Sequence, residues 1–123
     1  MKTILVVEDN ENNQLVIEDM FRKHRKEYAL RFFSTGQGLL SFLNTDAADL
    51  ILLDMRLPDI SGWDLASRLK NNAATSNIPV IAVTAHAMKG DEEKALKAGC
   101  DDFVTKPVNR QELLEKVKKW ESR

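Results

Sequence analysis

The chain has 123 residues, of which 43% are hydrophobic, enough for one well-formed core and too few for two comfortable domains. Its 18 lysines and arginines against 19 aspartates and glutamates give a net charge of −1, which argues against a direct nucleic-acid partner. The single cysteine cannot form an intramolecular disulfide, no signal peptide follows Met1, and no apolar run reaches the roughly 20 residues that span a bilayer. We therefore expect one soluble, cytoplasmic domain over residues 1–123, without a membrane partner.

The first apolar run predicts a buried strand that leads into a helix. Thr3 to Val7 is rich in β-branched residues and ends in Glu8-Asp9-Asn10, where the aspartate and asparagine can cap the next element. From Asn12 to about Arg25, apolar residues recur four apart with charged residues on the other side, which predicts a first helix. Its predicted apolar side contains Leu15, Val16, Ile17, Met20 and Phe21.

A second strand and a second helix precede the central strand of the chain. Tyr28 to Phe33 predicts the strand. The helical stripe that follows consists of Leu39, Leu40, Phe42 and Leu43. Leu50 to Leu53 then run without polar alternation into Asp54 and a loop marked by Pro58 and Gly62, as in a strand buried on both faces. This pattern places Asp54 at the carboxyl end of a strand, the edge where open α/β sheets bind ligands.

The second half of the chain continues the alternation. Gly62 opens a third helix, with Leu65, Ala66 and Leu69 on its apolar side and the pair Asn71-Asn72 at its end. Val80 to Ala85 predicts a fourth buried strand, with the polar Thr84 near its carboxyl end.

Two helices and a short strand complete the chain. Asp91 to Lys97 predicts a short charged helix with Ala95 and Leu96 facing inward, stopped by Gly99. Asp102 to Thr105 predicts a fifth strand that ends in Lys106-Pro107. Asn109 caps a last helix whose apolar face contains Leu113, Leu114, Val117 and Trp120.

Five strands that alternate with helices predict an α/β fold with a parallel sheet and helices on both faces. The polar residues that follow the strands then converge on one edge of the sheet: Glu8, Asp9, Asp54, Thr84 and Lys106. Clustered carboxylates repel one another unless a hard divalent cation neutralises them, and Mg²⁺ is the expected ion. A carboxylate can attack phosphorus while the metal, an ammonium and a hydroxyl stabilise the charge on the phosphoryl oxygens.

Four motifs carry a resemblance to a known family. They are Val6-Val7-Glu8-Asp9-Asn10, Leu53-Asp54-Met55-Arg56-Leu57-Pro58-Asp59-Ile60-Ser61-Gly62, Val83-Thr84-Ala85 and Gly99-Cys100-Asp101-Asp102-Phe103-Val104-Thr105-Lys106-Pro107. In this order and spacing they resemble the receiver domain of two-component response regulators over essentially the whole chain. The resemblance implies a flavodoxin-like, doubly wound sheet of order 2-1-3-4-5. It also implies a phosphorelay switch that takes a phosphoryl group from a phosphohistidine with Mg²⁺ and signals through partner-protein binding.

The resemblance also assigns roles to individual residues. It implies Asp54 as the phosphoryl acceptor, with Asp9 and Asp54 as direct metal ligands. Glu8 would act partly through water, and the backbone carbonyl of Arg56 would complete the protein's share of the ligands. Lys106 would pair with the phosphoryl group, Thr84 would move to bond it, and Phe103 would occupy the position of the rotating aromatic. A cis Lys106-Pro107 peptide bond is implied as well.

Within that family the chain is similar to the stand-alone, DivK-like regulators, particularly over residues 84–93. We therefore expect no output domain and no turnover enzyme beyond its own phosphorylation and dephosphorylation. The implied partners are a histidine kinase or a histidine phosphotransfer protein and a downstream protein, with the chain as a monomer or a weak phosphorylation-dependent dimer. Arg56 and His86 occupy the positions that tune the lifetime of the phosphoryl group in this family.

Several alternatives remain open at the level of the sequence. The chain could also be the receiver segment of a hybrid histidine kinase, which would change the partner but not the chemistry. A Mg²⁺-dependent phosphohydrolase would need a second acid two residues after the nucleophile, where Arg56 stands. A flavodoxin-like nucleotide or flavin binder would need backbone amides where the acidic, glycine-free turn after the first strand stands. Taken singly, Thr84 is an ordinary strand residue and Phe103 a core residue.

Overall fold

The computed structural model, which describes residues 1–84 and 89–121, is an open parallel sheet with helices on both faces. The strands are β1 (Lys2–Val7), β2 (Tyr28–Phe33), β3 (Leu50–Asp54), β4 (Val80–Thr84) and β5 (Asp102–Thr105). The helices are α1 (Glu11–Met20), α2 (Gly36–Leu43), α3 (Gly62–Lys70), α4 (Lys89–Lys97) and α5 (Arg110–Glu121). The described strands lie in the order β2-β1-β3-β4-β5, which confirms the predicted fold. Within the described ranges, every helix is too short or too polar to cross a bilayer.

The continuous apolar runs of the strands supply a core on each face of the sheet. Alternate residues of a strand point to opposite faces, so Leu5 and Val7 of β1 join one cluster while Ile4 and Val6 join the other. The first cluster packs against α2, α3 and α4, and the second packs against α1 and α5. Covering both faces with helices explains why β3 and β4 show no polar alternation.

The strand register aligns the carboxyl ends of the strands. Val7 at the end of β1 pairs with Phe33, the last residue of β2, and with Leu53, the residue before the last of β3. At the other side of the sheet, Asp54 pairs with Val83 of β4, and the last residues of β4 and β5 pair with each other. The segments that follow these ends therefore leave the sheet at the same edge.

Helix starts are fixed locally by polar side chains. Among the described residues, the caps are Asn10, Thr35, Ser61 and Asn109, which accept the backbone N–H of Asn13, Gly38, Asp64 and Glu112 respectively. Each cap binds one amide that the first helical turn leaves without an intrahelical partner. The predictions that Asn10 and Asn109 cap α1 and α5 are confirmed.

The predicted first helix extends beyond the observed one, and its predicted apolar side includes residues that are exposed in the structure. The helix ends at Met20, and a 3₁₀ turn over Arg22–His24 follows in place of the predicted continuation to Arg25. Phe21 is buried edge-on against Tyr28, 5.6 Å between ring centroids, so the chain has to turn there to enter β2. Of the predicted apolar side, two residues lie in solvent: Leu15 is 62% and Val16 51% exposed.

The predicted inward face of α4 needs a similar correction. Ala95 is fully buried, but Leu96 is 50% exposed, because consecutive residues of a helix point about 100° apart. Gly99 ends this helical segment as predicted, at a φ of 106° that favours glycine. β4 ends at Thr84 in the structure, and the predicted last strand residue, Ala85, lies outside the described residues.

Candidate functional site

Glu8 lies immediately after β1 and is held by hydrogen bonds of its backbone and its side chain. Its N–H donates to the carbonyl of Phe33 at 2.8 Å, which ties the end of β1 to the end of β2. Its carbonyl accepts the side-chain amide of Gln14 at 2.6 Å, and its Oε2 accepts the N–H of Asn10 at 3.1 Å. The residue is 2% exposed. Burial raises the pKa of Glu8 and Asp54 adds to the rise, against the opposing effects of the Asn10 amide and Lys106.

Asp54 is the last residue of β3 and is 5% exposed. One carboxylate oxygen, Oδ1, accepts the N–H of Arg56 at 3.0 Å, and Oδ2 accepts the ammonium of Lys106 at 3.1 Å. The sequence placed this carboxylate at a strand end, and the structure agrees. Its two oxygens are therefore fixed by one backbone donor and one cation.

Lys106 joins the ends of β1, β3 and β5. Its Nζ lies 3.2 Å from Glu8 Oε1 and 3.1 Å from Asp54 Oδ2, so one ammonium bridges two buried carboxylates. Its backbone N–H donates to the carbonyl of Thr84 at 2.7 Å. Burial lowers the pKa of Lys106, but the charges and hydrogen bonds of Asp54 and Glu8 outweigh burial and raise it above its ordinary value. The predicted cis Lys106-Pro107 bond is confirmed.

Asp9 completes an acidic cluster with Glu8 and Asp54. Each residue of this cluster offers one carboxylate oxygen, and these oxygens lie within 4.8 Å of one another, with Asp9 exposed and the other two buried. Three oxygen ligands at one opening to solvent suit a hard cation better than a transition metal, which prefers nitrogen or sulfur. The acidic cluster therefore forms a possible metal site, and its donor chemistry fits Mg²⁺.

Thr84 and Phe103 lie on the neighbouring strands β4 and β5. Thr84 is buried at the end of β4, and Phe103 on β5 is half-buried against the cluster packed on α2, α3 and α4. The ammonium of Lys116 on α5 lies 4.9 Å from the centre of the Phe103 ring and also donates to the Phe103 carbonyl. No sequence pattern pairs Lys116 with Phe103, because the two residues lie on different elements, 13 positions apart.

For Arg56 and His86, the structure shows only part of what the sequence predicts, or nothing. The N–H of Arg56 contacts Asp54 while its side chain is exposed, and the role of its carbonyl stays a prediction. His86 lies outside the described residues. Sequence reasoning missed Gln14, which fixes the Glu8 backbone, although its position on the first turns of α1 beside an acidic strand end is a usable signal.

Comparison with known sequences places the chain among signalling proteins. A family model described as the response regulator receiver domain matches residues 4–118. The polar-differentiation response regulator DivK of Brucella ovis is 38% identical over 119 residues, which cover 97% of this chain and 95% of that protein.

Solved structures agree with this placement. A putative response regulator from Chloroflexus aurantiacus superposes with a TM-score of 0.93 at 27% identity, covering 99% of this chain and 98% of that one. The receiver domain of a sensor histidine kinase from Pseudomonas aeruginosa, which has a magnesium ion coordinated in its active-site cleft, superposes with a TM-score of 0.89. It is 34% identical, and the match covers 99% of this chain and 98% of that one.

Proposed function

The chain belongs to the response regulator receiver family of two-component signalling, and from this membership we propose that it accepts a phosphoryl group from a phosphohistidine on Asp54. The observation that carries the assignment to Asp54 is its environment. It is a buried strand-end carboxylate, bonded by Lys106 and within 4.8 Å of two further carboxylates at an edge open to solvent. A carboxylate so placed is pre-positioned to act as a nucleophile toward phosphorus.

The proposed reaction is a direct transfer between the two proteins. An oxygen of Asp54 attacks the phosphorus atom, an O–P bond forms, and the P–N bond of the phosphohistidine breaks. The bonding electron pair leaves with the imidazole nitrogen of the donor, which takes up a proton. Lys106 remains beside the acceptor, where its positive charge opposes the negative charge that builds up on the phosphoryl oxygens.

We propose that Glu8, Asp9 and Asp54, with the carbonyl of Arg56, hold Mg²⁺. When bound, the ion neutralises charge on the carboxylates and on the phosphoryl oxygens. The exposed position of Asp9 supports a role at the opening of the site. The single positive charge of Lys106 offsets only part of the negative charge of the two buried carboxylates, Glu8 and Asp54.

The proposed function is tested by labelling with a small phosphodonor. With Mg²⁺ and acetyl phosphate, the protein is expected to gain one acid-stable, hydroxylamine-labile phosphoryl group in intact-mass analysis, and to gain none when EDTA removes the metal.

Asp9→Ala is expected to keep the fold and to lose most of the Mg²⁺-dependent rise in melting temperature, because a ligand stabilises the state that binds it. The proposed metal site is contradicted if Mg²⁺ does not change the melting temperature of the wild type, or if Asp9→Ala keeps the whole Mg²⁺-dependent rise.

The chemistry of the site and the surface beside it support a histidine kinase or a histidine phosphotransfer protein as the donor. The exposed Leu15 and Val16 line a groove of about 650 Å³ between α1 and residues 108–110. A smaller cavity of about 210 Å³ shares Val16 and Val108 with this groove and is also lined by Glu8 and Lys106. An apolar partner surface in the groove would therefore lie beside a cavity lined by Glu8 and Lys106, two residues of the proposed site. A phosphotransfer profile against a panel of histidine kinases identifies the donor.

A second candidate is the receiver segment of a hybrid histidine kinase, favoured by the 34% identity to such a domain from Pseudomonas aeruginosa. The 38% identity to the response regulator DivK supports the free-standing form, which we place in the cytoplasm. An immunoblot of the source cells separates the two, because the hybrid migrates far above the mass of this chain.

We propose that phosphorylation is read through Thr84 and Phe103. A phosphoryl group adds negative charge and acceptor oxygens at the end of β3, and the hydroxyl of Thr84 on the next strand can move toward them. The space that this hydroxyl leaves can then take the ring of Phe103, which lies on the strand beyond. The surface formed by α4, β5 and α5 would shift in population, and a downstream protein or a second copy of the chain would bind the shifted form.

Thr84→Ala is expected to accept the phosphoryl group but to lose most of the phosphorylation-dependent change in amide exchange and NMR shifts across residues 84–107. The reason is the loss of the hydroxyl that couples β4 to the new oxygens. Thr84→Ser retains a hydroxyl and is the matched control, expected to keep most of the change. If Thr84→Ala propagates the wild-type change at equal phosphorylation, the coupling runs through other residues.

A further inference from the structure

The loop between β3 and α3 follows the acceptor directly and is closed at its base. The N–H of Gly62 donates to the carbonyl of Met55 at 3.0 Å, so the chain returns to the point where it left the strand. A Cβ at Gly62 would lie 2.4 Å from Met55 Cα and 2.8 Å from the Asp54 carbonyl oxygen, which only glycine avoids. This closure fixes both ends of the loop and leaves its tip to be fixed by other contacts.

Asp59 fixes the tip of the loop by bonding a different helix. Its Oδ1 accepts the N–H of Gly36 and its Oδ2 accepts the N–H of Gln37, both at 2.9 Å, across more than twenty residues of sequence. The side chain therefore binds two amides at the positive end of α2. These two hydrogen bonds hold the pKa of Asp59 below its ordinary range.

The helix that Asp59 bonds is tied to the other side of the acidic cluster. α2 follows directly after β2, and the last residue of β2, Phe33, accepts the N–H of Glu8. The loop carries Arg56, whose N–H contacts Asp54. Asp59 thus links the segment that follows Asp54 to the same end of β2 that holds Glu8.

We propose, on the basis of the function proposed above, that Asp59 is a positioning residue for the metal site. By fixing the loop against α2, it holds the backbone at Arg56 in one place relative to Asp54 and Glu8. It bonds neither the acidic cluster nor Lys106 among its described contacts, so it acts through the loop. Contacts that orient metal ligands in this way change metal affinity although they do not touch the ion.

The structure provides a matched control on the same helix. Thr35 caps α2 in the usual manner, with Oγ1 accepting the N–H of Gly38 at 3.0 Å, and none of its hydrogen bonds in the described structure reaches the loop between β3 and α3. Asp59→Ala and Thr35→Ala each remove a side chain that accepts backbone N–H groups in the first turn of α2. A comparable loss in the denaturant midpoint is expected for both variants without Mg²⁺.

The deciding measurement is Mg²⁺ affinity by isothermal titration calorimetry in about 0.15 M KCl, which screens exposed charges. Asp59→Ala is expected to raise the Kd for Mg²⁺ about tenfold, and Thr35→Ala is expected to leave it near the wild-type value. Asp59→Asn has the same charge as Asp59→Ala but keeps an acceptor oxygen, so its Kd should lie between wild type and Asp59→Ala.

Each other outcome overturns a defined claim. Wild-type affinity in Asp59→Ala, or an equal loss in Thr35→Ala, excludes positioning by Asp59. Equal Kd values for Asp59→Asn and Asp59→Ala show an effect of charge alone and exclude the hydrogen bonds as its cause. A wild type that does not bind Mg²⁺ removes the proposed metal site itself, and with it this role of Asp59.

Discussion

Asp54→Asn is expected to abolish phosphorylation at position 54, so that protein treated with acetyl phosphate and Mg²⁺ carries no hydroxylamine-labile group there. The amide is nearly the same shape as the carboxylate and can still accept the N–H of Arg56, but it is not a nucleophile toward phosphorus. The variant should therefore still fold but should no longer accept a phosphoryl group at position 54. Intact mass followed by peptide mapping measures both the amount and the position of the label.

Asp49→Asn is the matched control for this variant. Asp49 lies directly before the other end of the same strand, where its Oδ2 accepts the N–H of Thr3 at 2.7 Å. The same chemical change there should leave labelling at the wild-type level. Undiminished labelling of Asp54→Asn, or a loss of labelling in Asp49→Asn equal to that in Asp54→Asn, would refute the assignment of Asp54 as the acceptor.

Lys106→Met is expected to destabilise the metal-free protein by about 3 kcal/mol, the lower end of what removing one partner of a buried ion pair costs. The substitution leaves the carboxylates of Glu8 and Asp54 without their shared cation, and both are almost fully buried. The lower end applies because the Lys106 side chain is itself 27% exposed. We expect Mg²⁺ to restore much of this loss, since the ion replaces the missing positive charge. Denaturant unfolding with and without Mg²⁺ measures the effect.

The same variant is expected to slow phosphorylation by about 100-fold at saturating Mg²⁺, because a preorganised positive donor beside the transferring group is lost. Lys70→Met is the matched control for stability. Lys70 pairs with Asp101 at 2.7 Å near the opposite edge of the sheet, and it is similarly buried. Its loss should destabilise the protein without any recovery in Mg²⁺. Equal recovery of the two variants in Mg²⁺ would show that the ion does not replace the charge of Lys106.

Local sequence patterns were enough to predict the five strands and the edge that they share. Uninterrupted apolar runs such as Leu50 to Leu53 indicate strands buried on both faces, and the parallel topology then brings their carboxyl ends together. The proximity of Glu8, Asp9 and Asp54 also requires β1 and β3 to be neighbours, which the family resemblance implied and the structure shows. The roles of these residues in metal binding and phosphoryl transfer remain the predictions stated above.

Periodicity could not decide how much of an apolar helix face a neighbour covers. Val16 follows the same four-residue spacing as buried Ile17, and Leu15 lies beside it in the sequence. Both are more than half exposed, because nothing in the described structure packs over that side of α1. The end of α1 was missed for a related reason. The chain turns at Phe21 because its ring packs on Tyr28, a contact with the next strand that the helical pattern does not contain.

By itself, the sequence determined which elements form and which polar residues end the strands, because these properties depend on residues that are close together in the chain. Only the tertiary structure decided which side chains of one element contact the backbone or a ring of another. Asp59 binds the start of α2, Gln14 binds the Glu8 carbonyl, and Lys116 lies over Phe103. Each of these contacts needs distances of a few ångströms between side chain and backbone or ring, and the packing of the helices against the sheet sets those distances.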